Sequence, residues 1–314
     1  MVSRVGIVLG GGGVSGAAYE MGCLMALRLA TEWDPNEADV IVGTSAGSTV
    51  AAITRSDGLH VDLLVRGQEE QADVTARISR LLYKKQDFTG FGRWMRSGIL
   101  PGLRSPGVSL VLGAPGRFSP VGIGDWVEHL IGDKAHDWPE RPTVCVAFDL
   151  NSRDRVAFGT ESAPDVTLYE AAAASSAVPI VFDPYVIDGT PYVDGGIASG
   201  THADLVLANP DPLDLVLVIA PMASEESSLT AHPLESMLDR VGRKSLEEEV
   251  GMIQRAWPDT DIVILRPRKA VLRAMRPNPM DPARAVPTFI ATLASMRTRL
   301  ASADTWAVLR KHLT

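Results

Sequence analysis

Short apolar runs alternate with helix-forming stretches along much of the chain. The strand-like runs are continuous and rich in valine and isoleucine, at Val5–Leu9, Val40–Val42, Val144–Leu150, Leu215–Ile219 and Ile262–Leu265. Continuous apolar strands are typical of a sheet that is covered on both faces. We predict helices between several of them, at Met21–Ala30, at Ser48–Thr54 and at Thr167–Ala174. This alternation indicates an α/β protein with a largely parallel sheet.

Two segments have the pattern of antiparallel hairpins. TVCVAFDLNSRDRVAFG has an apolar run on each side of Asn151–Asp154, and YVIDGTPYVDGG has Asp188 and Gly189 between two short runs. An Asp-Gly pair suits a two-residue turn whose central residues have positive φ. We therefore predict a hairpin in each segment.

The stretch from Leu81 to Pro120 has little hydrophobic period. It contains glycines and prolines together with Phe88, Phe91, Trp94, Met95 and Leu100. Long irregular segments in compact domains are usually functional or disordered, and large apolar side chains argue against disorder. We predict that residues 81–120 form a lid over an apolar site, with a packed surface excursion as the alternative.

The C-terminal third predicts two further helices. One is expected from Pro233 to Met252, in a charged and polar region. The other is a long amphipathic helix from Asp281 to Leu313, which we expect to be interrupted at Pro287 because proline removes a backbone donor.

Composition and charge narrow the classes of partner. The net charge is −8, which argues against nucleic acid, because phosphate binding requires a basic face. The two cysteines, Cys23 and Cys145, build neither a disulfide framework nor a zinc site, which favours a reduced, cytoplasmic setting. The first apolar run is too short for a signal peptide, and no window reaches the roughly 18 apolar residues that span a bilayer. We expect a soluble protein, or one that lies on a membrane surface.

A strand, a glycine loop and a helix follow one another in VGIVLGGGGVSGAAYEMG. Gly11, Gly13 and Gly16 fit the spacing of a dinucleotide-binding loop. That motif also needs an acidic residue at the end of the next strand, and here the strand runs into Gly43, with Asp39 at its opposite end. Glycines before a helix also expose backbone N–H groups at the positive end of its dipole, where an oxyanion can be held. We favour an oxyanion site, with a nucleotide site and a plain tight turn as alternatives.

The stretch VIVGTSAGSTVAA places a serine between two glycines where a strand meets a helix. Gly43-x-Ser45-x-Gly47 at such a junction is the nucleophile-elbow pattern. The turn is too sharp for large neighbours, and the N–H of Ala46 points to the same place as the serine hydroxyl. We predict Ser45 as a nucleophile, and the alternative is again a tight turn.

A serine nucleophile needs a base. His202 follows a glycine-rich turn and is the best candidate among six histidines, the others being His60, His129, His136, His232 and His312. Asp194 ends a strand in PYVDGGIASG and is followed by Gly195 and Gly196, a pattern that alone usually marks a loop. An aspartate beside the serine could act directly, provided that burial and a hydrogen bond make it an effective base.

In this order, the motifs resemble the patatin-like phospholipases of bacterial type. The matching parts are the loop Gly11–Gly16, the elbow Gly43–Gly47 and Asp194–Gly196, with the segments ASSAVPIVFDPYVIDGTPYVDGG and VAFDLNSRDRVAF. The resemblance covers residues 5–205. It implies a three-layer α/β/α sandwich with a mainly parallel central sheet. It also implies a single domain over residues 1–314, in which residues 206–314 complete the fold.

The resemblance also implies a chemistry. It implies hydrolysis of phospholipid or other lipid esters by a Ser–Asp dyad without metal or other cofactor, in which Ser45 is the nucleophile and Asp194 the base. Backbone N–H groups are implied to form the oxyanion hole, namely those of Gly11, Gly12, Gly13 and Ala46. One position departs from the family pattern, because family loops usually carry Lys or Arg where this chain has Ser15.

Three functions therefore stay open. The leading hypothesis is a serine lipid acyl hydrolase; the others are a Ser-His-Asp esterase that uses His202 and a non-catalytic lipid- or nucleotide-binding module. An acidic chain without a hydrophobic anchor is expected to contact a membrane surface only transiently, through apolar groups such as Trp94, Met95 and Leu100.

Overall fold

The computed structural model describes residues 2–59, 71–86, 90–100, 111–224 and 233–314, and the side chains of 233–241 are not described. Phe88, His60 and His232, which the sequence analysis names, lie outside these residues.

An eight-stranded sheet forms the centre of the described chain, in the order β5-β6-β3-β2-β1-β7-β8 with β4 paired to β3. The strands are β1 Val5–Leu9, β2 Val40–Thr44, β3 Thr143–Asp149, β4 Asp154–Phe158, β5 Tyr185–Ile187, β6 Thr190–Asp194, β7 Leu215–Ile219 and β8 Asp261–Leu265. The pairs along β3-β2-β1-β7-β8 are parallel, whereas β4 and β6 run antiparallel to β3 and β5 antiparallel to β6. The predicted, mainly parallel sheet is confirmed, as are both hairpins.

Helices cover the sheet. They are α1 Gly13–Thr31, α2 Ala46–Arg55, α3 Gln71–Leu82, α4 Phe91–Trp94, α5 Val121–Ile131, α6 Leu168–Ser175, α7 Pro233–Ala256, α8 Lys269–Met275, α9 Ala285–Leu300 and α10 Ala303–Leu313. Alternate residues of a strand pack on opposite faces: Ile7 and Leu9 join the cluster that contains α1 and α9, while Val8 joins the cluster that contains α7. Apolar side chains on both faces explain the continuous apolar strands and give the three layers of an α/β/α sandwich.

The C-terminal helix differs from its prediction. Pro287 lies in the first turn of α9, where its missing N–H is not needed, so the expected interruption there is wrong. The chain instead leaves helix at Ala301 and Ser302, between α9 and α10. A short 3₁₀ helix, Pro282–Arg284, precedes α9.

The region predicted to be irregular is partly helical. After α4, a π-helical turn continues over Met95–Ile99. Phe91 and Leu100 are exposed, whereas Trp94 and Met95 are half-buried. Further on, Leu112 packs against Phe148 of β3. None of the helices within the described ranges combines the length and the apolar character that crossing a bilayer requires.

The carboxyl ends of two strands meet at one edge of β3. The partner of Val146 is Thr44, the last residue of β2, and the partner of the adjacent Ala147 is Asp194, the last residue of β6. Strand β4 pairs with the same stretch of β3 and so occupies its opposite edge. Because β2 and β6 run toward each other along the shared edge, residues that end them are brought together.

Candidate active site

Ser45 occupies a strained turn between β2 and α2. Its φ is 55° and its ψ is −122°, a conformation that non-glycine residues rarely adopt. A Cβ at position 47 would lie 2.1 Å from the Leu9 carbonyl oxygen, and one at position 43 would lie 2.5 Å from the Gly47 carbonyl oxygen. Only glycines fit at both positions, so the packing of the turn against β1 holds Ser45 in its strained conformation.

Ser45 and Asp194 form a direct hydrogen bond, although 149 positions separate them in the chain. The serine Oγ donates to Asp194 Oδ2 at 2.5 Å, and both residues are buried. The second carboxylate oxygen, Oδ1, accepts the backbone N–H of Gly196 at 2.7 Å. The geometry orients the carboxylate from both sides and aims one oxygen at the serine hydroxyl.

Burial changes the acidity of Asp194. Removal from water raises the pKa of its carboxyl to about 6, while the hydrogen bonds from Ser45 and Gly196 act in the opposite direction. A carboxylate with this pKa is still ionised at neutral pH but accepts a proton more readily than an ordinary aspartate.

The glycine loop brings backbone donors to the same place. A Cβ on Gly11 would lie 3.4 Å from the Cβ of Ser45, so the loop passes directly beside Ser45. Gly13, with a φ of 61°, is the first residue of α1, and Ala46 is the first residue of α2. First-turn N–H groups have no partner within their helix, and both helices present the positive end of their dipole here.

The N–H of Gly11 is already engaged. It donates to the carbonyl oxygen of Gly200 at 2.8 Å, which does not fit the expectation that it serves as an oxyanion donor. Within the described residues, the N–H groups of Gly12, Gly13 and Ala46 donate no hydrogen bond. These three amides are therefore the donors that remain beside Ser45.

The other motif residues, Gly16, Gly195 and Ser15, are held by packing or by backbone hydrogen bonds. Gly16 lies within α1 and packs against Pro221, and a Cβ at Gly195 would lie 2.3 Å from the Val146 carbonyl oxygen. Ser15 is buried, with its N–H donating to the Pro279 carbonyl oxygen at 3.0 Å. In the described ranges, no three His, Cys, Asp or Glu side chains gather as metal ligands would.

His202 contacts Thr44, the residue before Ser45, but is not bonded to Ser45 itself. Its Nδ1 is 3.1 Å from the Oγ1 of Thr44, and within the described chain its buried Nε2 has no partner. Burial lowers the pKa of the ring to about 4, so the ring is neutral at physiological pH. The serine hydroxyl is bonded to Asp194 instead, so the arrangement lacks the histidine of a Ser-His-Asp triad.

Ser175, the last residue of α6, was missed by sequence reasoning. Its Oγ accepts the backbone N–H of Ser45 at 2.9 Å and donates to the Val146 carbonyl oxygen at 2.6 Å. It also lies 2.7 Å from the Oγ of Ser48 in the first turn of α2. This buried network ties the elbow to β3, the strand that also positions Asp194. Ser175 lies in the quoted ASSAVP segment, but nothing in that segment indicates its partners.

Glu249 on α7 is a second residue that the sequence did not reveal. Its buried carboxylate accepts hydrogen bonds from Ser199 Oγ, from Thr201 Oγ1 at 2.6 Å and from the Ala203 N–H at 2.8 Å. Burial raises the pKa of this carboxyl. These hydrogen bonds hold the loop that contains Gly200, and the carbonyl oxygen of Gly200 in turn accepts the N–H of Gly11 in the glycine loop.

An apolar pocket opens beside Ser45. Apart from Ser45, Thr49 and Ser176, its lining consists of apolar residues and glycine, namely Gly13, Val14, Ala17, Ala18, Met21, Ala46, Ile53, Ile78, Leu82, Ile123, Trp126, Leu130, Val178, Phe182, Met280 and Ala285. Of the described residues in the region predicted as a lid, Leu82 alone lines this pocket. The lid stays a prediction.

Sequence comparison identifies one family. A family model described as patatin-like phospholipase matches residues 7–207, more than half of the chain. No curated protein matches the chain in sequence.

Solved structures of similar architecture have low sequence identity. VipD from Legionella pneumophila is 12% identical with a TM-score of 0.39, and the match covers 95% of this chain and 67% of that one. Human GIVD cytosolic phospholipase A2 is 12% identical with a TM-score of 0.45, covering 99% and 63%. Its complex with methyl gamma-linolenyl fluorophosphonate is 14% identical with a TM-score of 0.43, covering 100% and 60%. The chain thus spans between 60% and 67% of the length of these proteins.

Proposed function

The chain belongs to the patatin-like phospholipase family, whose members are lipid ester hydrolases, and we propose that it cleaves carboxylic esters of lipids through an acyl-enzyme on Ser45. The observation that carries this proposal is the hydrogen bond from Ser45 Oγ to Asp194 Oδ2, made by a serine that lines an apolar pocket. Ser45 is the nucleophile and Asp194 the base.

In the first half of the reaction, Ser45 Oγ forms a bond to the ester carbonyl carbon and its proton passes to Asp194 Oδ2. The carbonyl oxygen becomes an oxyanion, which the N–H groups of Gly12, Gly13 and Ala46 stabilise. Such donors are effective because they are in place before charge develops. The bond between the carbonyl carbon and the alcohol oxygen then breaks, and the alcohol leaves with the proton from Asp194.

In the second half, water attacks the acyl group on Ser45 and gives its proton to Asp194. The tetrahedral intermediate again rests on the backbone donors. Its collapse releases the carboxylic acid and returns the proton to Ser45. A carboxylate whose pKa is about 6 suits both halves, because it must accept and return a proton in each cycle.

We also propose a cytoplasmic location and transient contact with lipid surfaces. Two buried free cysteines, Cys23 and Cys145, support a reduced compartment. Exposed apolar side chains such as Phe91 and Leu100 support contact with lipid.

Hydrolysis of a panel of phospholipids and simpler lipid esters tests the proposal, with wild type compared with Ser45→Ala. Loss of the nucleophile should lower turnover by about 1,000-fold or more. A fluorophosphonate probe should label wild type at Ser45 and leave Ser45→Ala unlabelled, with equal thermal unfolding of both proteins as the control for folding. Near-normal turnover in Ser45→Ala would contradict the proposal, and an unlabelled wild type would favour a binding module.

A further inference from the structure

The pocket beside Ser45 follows two neighbouring helices. From α2 it is lined by Ser45 at the start, then by Thr49 and Ile53, each four residues further on. From α1 it is lined by residues with the same spacing, namely Gly13, Ala17 and Met21. Residues four apart lie on one face of a helix, and both helices begin at the carboxyl edge of the sheet. The pocket is therefore a channel that runs from the nucleophile along matched turns of α1 and α2.

The apolar side chains that lie farthest from Ser45 along these helices are almost fully buried. Met21 is 6% exposed, and Ile53 and Ile78 are each 2% exposed. Helices α3 and α5 add Leu82, Ile123, Trp126 and Leu130, and other segments add further lining residues, namely Ser176, Val178, Phe182, Met280 and Ala285. An acyl chain that is attached to Ser45 and lies along α1 and α2 would contact mostly apolar side chains and would reach Met21 and Ile53 last.

The length of the channel follows from helix geometry. Ser45 and Ile53 are eight residues apart, which is about 12 Å at about 1.5 Å per residue. Carbon–carbon bonds of about 1.5 Å at an angle of about 111° advance an extended chain by roughly 1.25 Å per bond. The channel therefore has room for about eight to ten carbons of an acyl group attached to Ser45.

We propose that this channel measures the acyl chain, so that the enzyme prefers acyl groups of medium length and Met21 with Ile53 sets the limit. The inference rests on the proposed function, because the acyl group must be attached to Ser45. Each methylene that fits leaves water for an apolar wall and strengthens binding. Each methylene beyond the limit meets the buried end, where close packing leaves no space for it.

A series of p-nitrophenyl esters with even-numbered acyl chains, from butanoyl to hexadecanoyl, tests the inference through kcat/KM. Wild type should be fastest with octanoyl or decanoyl esters. Ile53→Ala should move the maximum to longer chains and raise the ratio of dodecanoyl to octanoyl activity by about tenfold. Thr49→Leu, which fills the channel halfway, should move the maximum to shorter chains.

A matched control lies on the same helix. Val50 is fully buried on α2 but does not line the channel, so Val50→Ala should leave the preferred chain length unchanged. Ile53→Val makes a smaller change in volume than Ile53→Ala and should move the maximum in the same direction by less. It keeps the test decisive if the alanine variant does not fold.

Two results would overturn the inference in distinguishable ways. If esters are hydrolysed in a Ser45-dependent manner but the maximum stays in place in Ile53→Ala, Ile53→Val and Thr49→Leu, the channel does not measure the chain. If no ester in the series is hydrolysed in a Ser45-dependent manner, the proposed function fails and the inference fails with it.

Discussion

Each of the two edges of the central sheet has a serine that is hydrogen-bonded, directly or through a histidine, to an aspartate. At the carboxyl edge, Ser45 bonds directly to Asp194. At the amino edge, Ser3 Oγ lies 3.0 Å from His312 Nδ1, and His312 Nε2 lies 2.7 Å from Asp261 Oδ2. By residue type the amino-edge cluster, Ser3–His312–Asp261, looks more like a hydrolase triad than the pair that we propose as catalytic.

The surroundings of Ser45 and of Ser3 differ in ways that bear on catalysis. Ser45 sits in a strained turn, beside glycine-loop amides and an apolar pocket, whereas Ser3 merely precedes β1 and none of the amino-edge cluster lines that pocket. The acids also differ. Burial raises the pKa of Asp194, while hydrogen bonds from His312 and Lys311 lower the pKa of Asp261. Because none of its residues lines the pocket, we infer that the amino-edge cluster links Ser3 and α10 to β8 and has no part in catalysis.

Matched aspartate-to-asparagine changes at the two edges should give the largest difference. Asp194→Asn removes the base that we propose for the serine proton, and kcat should fall by about 1,000-fold or more. Asp261→Asn should leave kcat within about twofold of wild type, because it contacts neither the pocket nor Ser45. Steady-state hydrolysis of one lipid ester by the three proteins measures both effects.

Circular dichroism of each variant checks that the fold is retained. A large loss of activity in Asp261→Asn, with the fold intact, would assign catalysis to the amino-edge cluster and reverse our interpretation of both sites.

Removal of a serine that holds the elbow should have a smaller effect. Ser175→Ala leaves the N–H of Ser45 without its acceptor and loosens the strained turn. We expect kcat to fall by about 10- to 100-fold with little change in KM, because substrate contacts stay in place. Ser3→Ala, which removes a serine hydrogen bond at the other edge, is the matched control and should leave kcat unchanged. An unchanged kcat in Ser175→Ala would show that the elbow keeps its geometry without this contact.

The pH dependence of activity should follow Asp194. Its protonated form cannot accept the serine proton, so kcat/KM should rise about tenfold per pH unit below about pH 6 and level off above it. In Asp261→Asn the midpoint should not move, since that carboxyl lies at the opposite edge. A pH–rate profile for both proteins measures this, and a midpoint near the usual aspartate pKa would argue against a buried base.

The sequence predicted those parts of the molecule that local patterns determine. The bounds of β1 and β7 agree with their apolar runs, and Asp188 and Gly189 have the positive φ expected of their turn. The strained elbow follows from Gly43 and Gly47, whose neighbours are close in sequence or on the next strand.

Features that depend on packing between distant segments could not be predicted in this way. Ser175 and Glu249 form hydrogen bonds with partners that come near only in the folded protein. The same holds for the hydrogen bond from Gly11 to the carbonyl oxygen of Gly200. The pocket beside Ser45 likewise forms between helices and loops that are distant in the sequence. Ser45 and Asp194 themselves were suggested by motifs, but their contact follows from two strands that meet end to end on β3.

The smallest expected effects concern the free energy of unfolding. Asp194→Asn and Asp261→Asn should change this free energy in opposite directions. The pKa of Asp194 is raised from 3.8 to about 6, so its favourable contribution to folding is present below about pH 4 and is lost as the pH rises through 6. At pH 7 the buried carboxylate opposes folding, and Asp194→Asn should raise the free energy of unfolding by about 1 to 3 kcal/mol. Activity and stability would then conflict at the same residue.

Asp261 should behave in the reverse manner. Its pKa is lowered, so its contribution is present above the unfolded pKa and is lost as the pH falls through the folded value. The group is partly exposed and screened by solvent, so Asp261→Asn should lower the free energy of unfolding at pH 7 by less than about 1 kcal/mol. Urea unfolding of both variants at pH 7 measures the two signs. Destabilisation by both changes would mean that the Ser45 and Gly196 hydrogen bonds outweigh the burial of Asp194, and that its carboxylate is held in place rather than under strain.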